Sequence, residues 1–242
     1  MTNAGGGLPR VGWVTDVQHD FMRPPAEGGR LYVADLGDTS DEGAVRALPS
    51  IEAAVRWMEA NCGALVYTTD WHSLDDEEID PESPDPASGT YPPHCMGLSD
   101  DLDMVEGAAI LASIRPEQPL VLERDADPST AGVIAERAVR DGRPVVIRKK
   151  RFDVFAGNPA AEAFVEALVE ELGGAAEFVV VGVARDVCVT QAIDGLQARG
   201  HPTVAVRDAT WGLGLEPEEE TLARWRGGGR VVRLAELTER GT

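Results

Sequence analysis

Cys188 stands at the seam of Val179 to Gly200, "VVVGVARDVCVTQAIDGLQARG", where an apolar run gives way to an amphipathic one. A thiol there is either a packed core atom or a nucleophile, and position bears on the choice. At the start of a helix, unpaired backbone N–H groups and the helix dipole favour a thiolate. A free cysteine has a pKa of about 8.5, so a neighbouring base or cation must supply the rest of the activation. Groups able to help lie at the ends of other apolar runs: Asp16 in "TDVQHDF", Asp70 and His72 in "TTDWH", and Lys149 and Lys150 in "IRKKRFDVF". Of these, Asp16 and Lys149 suit the task. Taken singly, a terminal acid or lysine is ordinarily a solvated or capping group. Such groups at the end of one run after another are a stronger signal.

The elements that must position them follow from periodicity. Six β-rich runs recur, at Val11 to Asp16, Ala64 to Asp70, Pro144 to Lys149, Phe178 to Val183, Pro202 to Asp208 and Arg230 to Leu234. Between them lie helical patterns, with one face formed by Ile51, Val55 and Met58, then Val133 and Ala138, then Phe164, Leu168 and Leu172, and finally Val189, Ala192, Ile193 and Leu196. Strand and helix in alternation, with strands apolar enough for burial on both sides, predict a three-layer α/β/α architecture around a mostly parallel, six-stranded sheet. In such sheets the working site sits beyond the carboxyl ends of the strands. Residues 1–242 read as a single domain. Asp75 to Cys95 carries five prolines and seven acids and fits neither helix nor strand. A loop of that length in a compact domain is more often functional than inert.

Composition narrows the function classes. The chain has 242 residues, with 22 basic against 42 acidic groups and a formal net charge of -20. Such a charge repels phosphate backbones and anionic lipid, so neither nucleic acid nor membrane is an expected partner. No run approaches 18 uninterrupted apolar residues, and "MTNAGGGLPR" has no signal-peptide pattern, so a cytoplasmic protein is expected. Cys62, Cys95 and Cys188 match no zinc ribbon, CxxC pair or disulfide framework.

Read in order, "DVQHDF", "DWH", "YPPHC", "KKRFDVFAGN" and "GVARDVCV" resemble the isochorismatase-like cysteine hydrolases, and within them the nicotinamidase/pyrazinamidase branch, over about Asp16 to Asp208. The resemblance implies a catalytic triad of Asp16, Lys149 and Cys188, with Lys149 preferred over Lys150 by its spacing from "FDVF". It implies an oxyanion hole from the N–H groups of Ala184 and Cys188, with a cis peptide between Val183 and Ala184. It also implies Phe21 and Tyr91 as aromatics around the substrate, and one divalent metal ion, Zn, Fe or Mn, on Asp70, His72 and His94. Asp70 and His72, one residue apart, point to the same side of an extended strand end, and His94 reaches back from the long loop. Where some relatives carry a further histidine, this chain has only acids, Asp75 to Glu78.

The expected substrate is a small-molecule amide, with nicotinamide favoured and maleamate-, ureido- or antibiotic-type amides as alternatives. Arg185, beside the nucleophile, is a cation that could select an acidic substrate. A catalytically silent scaffold is the reading from a different class, and homo-oligomerisation stays open. His19 and His201 are assigned to no site, and Cys95 is read as a bystander.

Overall fold

The computed structural model describes residues 7–239. The reading of the N-terminus as lacking a signal peptide rests mainly on residues 1–6, which lie outside that range. Seven strands form one sheet: β1 (Arg10–Thr15), β2 (Ala64–Asp70), β3 (Leu120–Leu122), β4 (Val145–Lys149), β5 (Glu177–Val183), β6 (Thr203–Trp211) and β7 (Gly229–Val232). Their spatial order is β3-β4-β2-β1-β5-β6-β7, and every pairing is parallel. The sheet thus has one strand more than the six that periodicity predicts. The addition is β3, the three residues "LVL" at one edge, paired only with β4 and too short to display a period.

Successive side chains of a strand point to opposite faces, and the apolar sequence of these strands fills both. Val14, Leu65, Tyr67, Val179 and Val181 pack on one face with Ile51, Val55 and Met58 of α2 (Leu48–Asn61). Val11, Trp13, Val66, Val145 and Val180 point the other way. They meet α4 (Ala131–Asp141), α6 (Ala161–Glu171), α7 (Thr190–Ala198) and α8 (Glu218–Trp225). The remaining helices are α1 (His19–Met22), α3 (Leu102–Gly107), α5 (Val154–Gly157) and α9 (Leu234–Glu239). The predicted inner face of α4 needs correction: Ala131, Ala135 and Ala138 are buried, while Val133 is 58% exposed. Val133 lies two residues from Ala131, on the far side of a helix. No helix among the described residues is long and apolar enough to cross a membrane.

From β1 the chain runs to β2, β3 and β4 on one side of the sheet, then crosses to β5, β6 and β7 on the other. The strand order therefore switches between β1 and β5, and a crevice opens at their carboxyl ends.

Candidate active site

Four neighbouring strands deliver the chemistry in spatial sequence. Lys149 ends β4, Asp70 ends β2 in register with it, Asp16 follows β1, and Cys188 lies in the turn after β5. All four are buried. Asp16 has a positive φ of 51°, which turns the chain off β1 as its N–H donates to the Thr68 carbonyl at 3.2 Å. Its Oδ1 accepts from the Thr68 hydroxyl at 2.7 Å, and its Oδ2 lies 2.9 Å from Lys149 Nζ. The ammonium also donates to Asp70 Oδ1. The Cys188 sulfur and carboxylate oxygens of Asp16 and Asp70 lie within 4.8 Å of one another. Lys150 points away, 2.6 Å from Asp125, so the cluster contains Lys149 of the two candidates.

Charge and burial set the protonation states. Burial pushes the Asp16 carboxyl up; Lys149 counteracts it and Asp70 reinforces it, leaving the pKa raised. For Lys149, burial alone would discharge the amine, but Asp16 and Asp70 outweigh it and hold the ammonium firmly charged. Burial likewise raises the Cys188 thiol well above its ordinary value; Lys149 opposes this and the two carboxylates add to it. The thiolate expected of a helix start is therefore not the resting state, because Cys188 sits in a wide turn, Arg185–Val189, before α7 begins, and desolvation dominates. The peptide between Val183 and Ala184 is cis.

Beside this cluster, Asp70, His72 and His94 bring one donor atom each within 4.8 Å of the others, all fully buried. Asp70 Oδ2, His72 Nε2 and His94 Nε2 have no hydrogen-bond partner. Three buried polar atoms without a partner, facing one point, would be costly unless a cation satisfied them. The residues therefore fit a divalent metal, and two histidines with a carboxylate suit Zn, Fe or Mn. The opposite ring nitrogens are anchored: His72 Nδ1 lies 3.2 Å from Asp76 Oδ2, and His94 Nδ1 lies 2.8 Å from the Pro92 carbonyl. Burial, reinforced by His72, lowers His94 to a pKa of about 4, so the ring is neutral as a ligand must be. Burial pushes Asp76 up, but hydrogen bonds from His72 and Arg124 outweigh it and hold the carboxyl well below the usual range. Arg124 grips both Asp76 oxygens at 2.6 Å.

An apolar pocket opens over the sulfur. Phe21 and Tyr91, both expected there, line it with Leu31, Val33, Phe152, Ala184, Val187, Cys188 and Leu213. Tyr91 meets Phe152 edge-on at 4.8 Å, and Phe21 lies 5.5 Å from His94. The long acidic tract thus supplies Tyr91 and His94 to the strand ends. Its fold is pinned by reciprocal backbone bonds, Tyr91 N–H to the Glu78 carbonyl and Asp80 N–H to the Tyr91 carbonyl. Glu78 also accepts the Phe152 N–H on both oxygens, and its pKa is raised to about 7 by burial and then by Asp70.

Arg185 does not reach this pocket. Its guanidinium donates to Thr210 and pairs with Glu218 at 3.0 Å, which weighs against its reading as a substrate-selecting cation. The physical reason is the turn itself, which sends residue 185 outward as it sends 188 inward. His19 sits between Arg23 and Glu106, and His201 packs on Phe178; neither is among the candidate site residues. Leu31, Val33, Leu213, Asp76 and Arg124 are assigned to no site by sequence reasoning, because their loops carry no periodic signal, and Phe152 enters there only as the spacing marker for Lys149.

Fold and site together define a doubly wound parallel α/β protein with a buried Cys–Asp–Lys cluster at its topological switch point. A family model described as the isochorismatase domain matches residues 13–236, and the chain belongs to this family of hydrolases. Among solved structures, a nicotinamidase/pyrazinamidase from Bacillus subtilis aligns with a TM-score of 0.63 at 19% identity, covering 93% of this chain and 100% of that one. A pyrazinamidase of Pyrococcus horikoshii in complex with zinc aligns at 0.60 and 20% identity, covering 93% and 98%. An N-carbamoylsarcosine amidase from Thermoplasma acidophilum gives 0.60 at 18%, covering 94% and 97%. No curated protein matches.

Proposed function

We propose that this chain is a metal-containing cysteine amidohydrolase that cleaves a small neutral carboxamide through a thioester, with nicotinamide, giving nicotinate and ammonia, as the favoured substrate. The observation that carries the reading is the burial of Cys188, Asp16 and Lys149 as one cluster beneath an apolar pocket with no charged residue in its lining.

In the proposed reaction, Asp16 takes the Cys188 proton as the sulfur attacks the carboxamide carbon. The tetrahedral oxyanion is received by the N–H groups of Ala184 and Cys188. Collapse breaks the C–N bond, and Asp16 passes its proton to the departing nitrogen, which leaves as ammonia. Water, deprotonated by Asp16, then attacks the thioester; the C–S bond breaks, and the sulfur recovers its proton. An acid whose pKa is raised by burial suits both directions of this transfer, and Lys149 keeps it ionised between them. Asp70, His72 and His94 would hold a divalent cation, which supplies a Lewis acid for orienting a ring nitrogen or a water. Phe21, Tyr91 and Phe152 would sandwich a flat ring. The outward course of Arg185 weighs against anionic amides.

The test is ammonia release by the purified protein over a panel of carboxamides, with Cys188→Ala as control. Release from nicotinamide that falls at least about 10³-fold in the variant is the expected result. Unchanged release in Cys188→Ala removes the mechanism, and no release from any amide favours a non-catalytic scaffold.

A further inference from the structure

The β1–β2 ladder stops at the pair Thr15 and Thr68, because Asp16 turns the chain aside. Two residues farther along β2, Asp70 receives a substitute partner from a side chain. Gln18, fully buried, accepts the Asp70 N–H on Oε1 at 2.8 Å. Its Nε2 donates to the Asp70 carbonyl and to the Ala108 carbonyl, each at 2.8 Å. The amide therefore uses its acceptor and both donors, and only one orientation satisfies all three bonds. Asp70 is gripped through both of its backbone polar groups, while its carboxylate is left to Lys149 and to the cation cradle.

Asp20, also fully buried, does the corresponding work on the histidine side. Its Oδ2 accepts the Cys95 N–H at 2.7 Å, and Arg30 holds Oδ1 at 3.1 Å. Cys95 follows His94 at a positive φ of 46°, and its carbonyl accepts the His72 N–H at 2.9 Å. One carboxylate thus fixes the backbone joint between the two histidines. It needs a gap to do so: a Cβ on Gly107 would stand 2.1 Å from Asp20 Oδ2.

We propose that Gln18 and Asp20 are positioning residues that set the geometry of the cation cradle, Gln18 through the main chain of Asp70 and Asp20 through the joint between His72 and His94. The inference rests on the reading of Asp70, His72 and His94 as cation ligands. Groups outside the ligand set that orient it typically alter metal affinity by about 10–100-fold.

The experiment measures the Zn²⁺ dissociation constant of metal-stripped full-length protein by competition with a chromophoric chelator, and requires no enzyme activity. Gln18→Met and Asp20→Ala are each expected to bind about 10–100-fold more weakly, while Asp20→Asn, which keeps an acceptor for the Cys95 N–H, recovers affinity to within about threefold. Leu168→Ala, in the core on the opposite face of the sheet, controls for general destabilisation and is expected to bind as wild type does. Should Gln18→Met fail to fold, Gln18→Asn, with the same amide on a shorter stem, gives the same readout. Wild-type affinity in folded Gln18 and Asp20→Ala variants overturns the inference, as does an equal loss in Leu168→Ala. Wild-type protein that binds none of Zn²⁺, Mn²⁺ and Fe²⁺ overturns the cation reading itself, and this inference with it.

Discussion

At the residue scale, the site holds one buried ammonium against two buried carboxylates, and the thiol is the fourth member. Ionising Cys188 at rest would set a second uncompensated negative charge within 4.8 Å of Asp16 and Asp70 oxygens. Two unit charges 4 Å apart repel by about 4 kcal/mol at an effective dielectric of 20, so one lysine does not offset two acids and the loss of hydration together. In the proposed reaction the proton therefore stays on sulfur until Asp16 accepts it. Iodoacetamide alkylation of Cys188 in the metal-stripped protein should therefore accelerate with pH from about 6 to about 9 with no plateau, since the thiolate fraction below the pKa grows tenfold per unit. A rate that levels off below about pH 8 would reveal a resting thiolate and refute this assignment of the proton.

At the element scale, the proposed nucleophile, Cys188, is placed by the end of β5. Gly182 pairs with Thr15 at the last rung of the β1–β5 ladder, at a φ of 123°, and a Cβ there would stand 2.0 Å from the Thr15 carbonyl oxygen. Both the backbone region and the space require glycine. Gly182→Ala is expected to cost about 3 kcal/mol or more and to misplace Asp16 and Cys188 together, read as a lower urea midpoint with loss of the proposed amidase activity. A wild-type midpoint would show that the strand end is pliable. The elements that carry the cluster were legible because buried parallel strands write continuous apolar runs, which end where Asp16, Asp70 and Lys149 stand. β3 was not legible, since three residues carry no period, and Val133 misled because an apolar residue on an exposed helix face reads like a core one. Gln18 and Asp20 were visible only as polar letters of "DVQHDF". The main-chain groups they hold at Asp70, Ala108 and Cys95 lie 52 to 90 residues away, which no local pattern encodes.

At the scale of the whole molecule, the net charge of -20 meets a local field of the same sign. Next to the apolar pocket, a second cavity is lined by Asp35, Asp38, Asp41, Asp186, Glu216 and Glu218, with Arg185 as its one cation. The two share their walls along the chain: Val33 faces one and Asp35 the other, and Leu213 lies between Gly212 and Gly214. An anionic amide coming near this acidic cavity meets repulsion, whereas a neutral one does not. Salt shortens that field, with a Debye length of about 10 Å at 0.1 M. Raising ionic strength from about 0.02 to about 0.3 M should leave kcat/KM for nicotinamide within about twofold, while kcat/KM for a maleamate-type amide, low at the outset, should rise severalfold. The sign is the decisive quantity. A fall with salt for the anionic amide would mean that a cation in or near the pocket attracts it, and would reopen the acidic-substrate reading that the outward course of Arg185 weighs against.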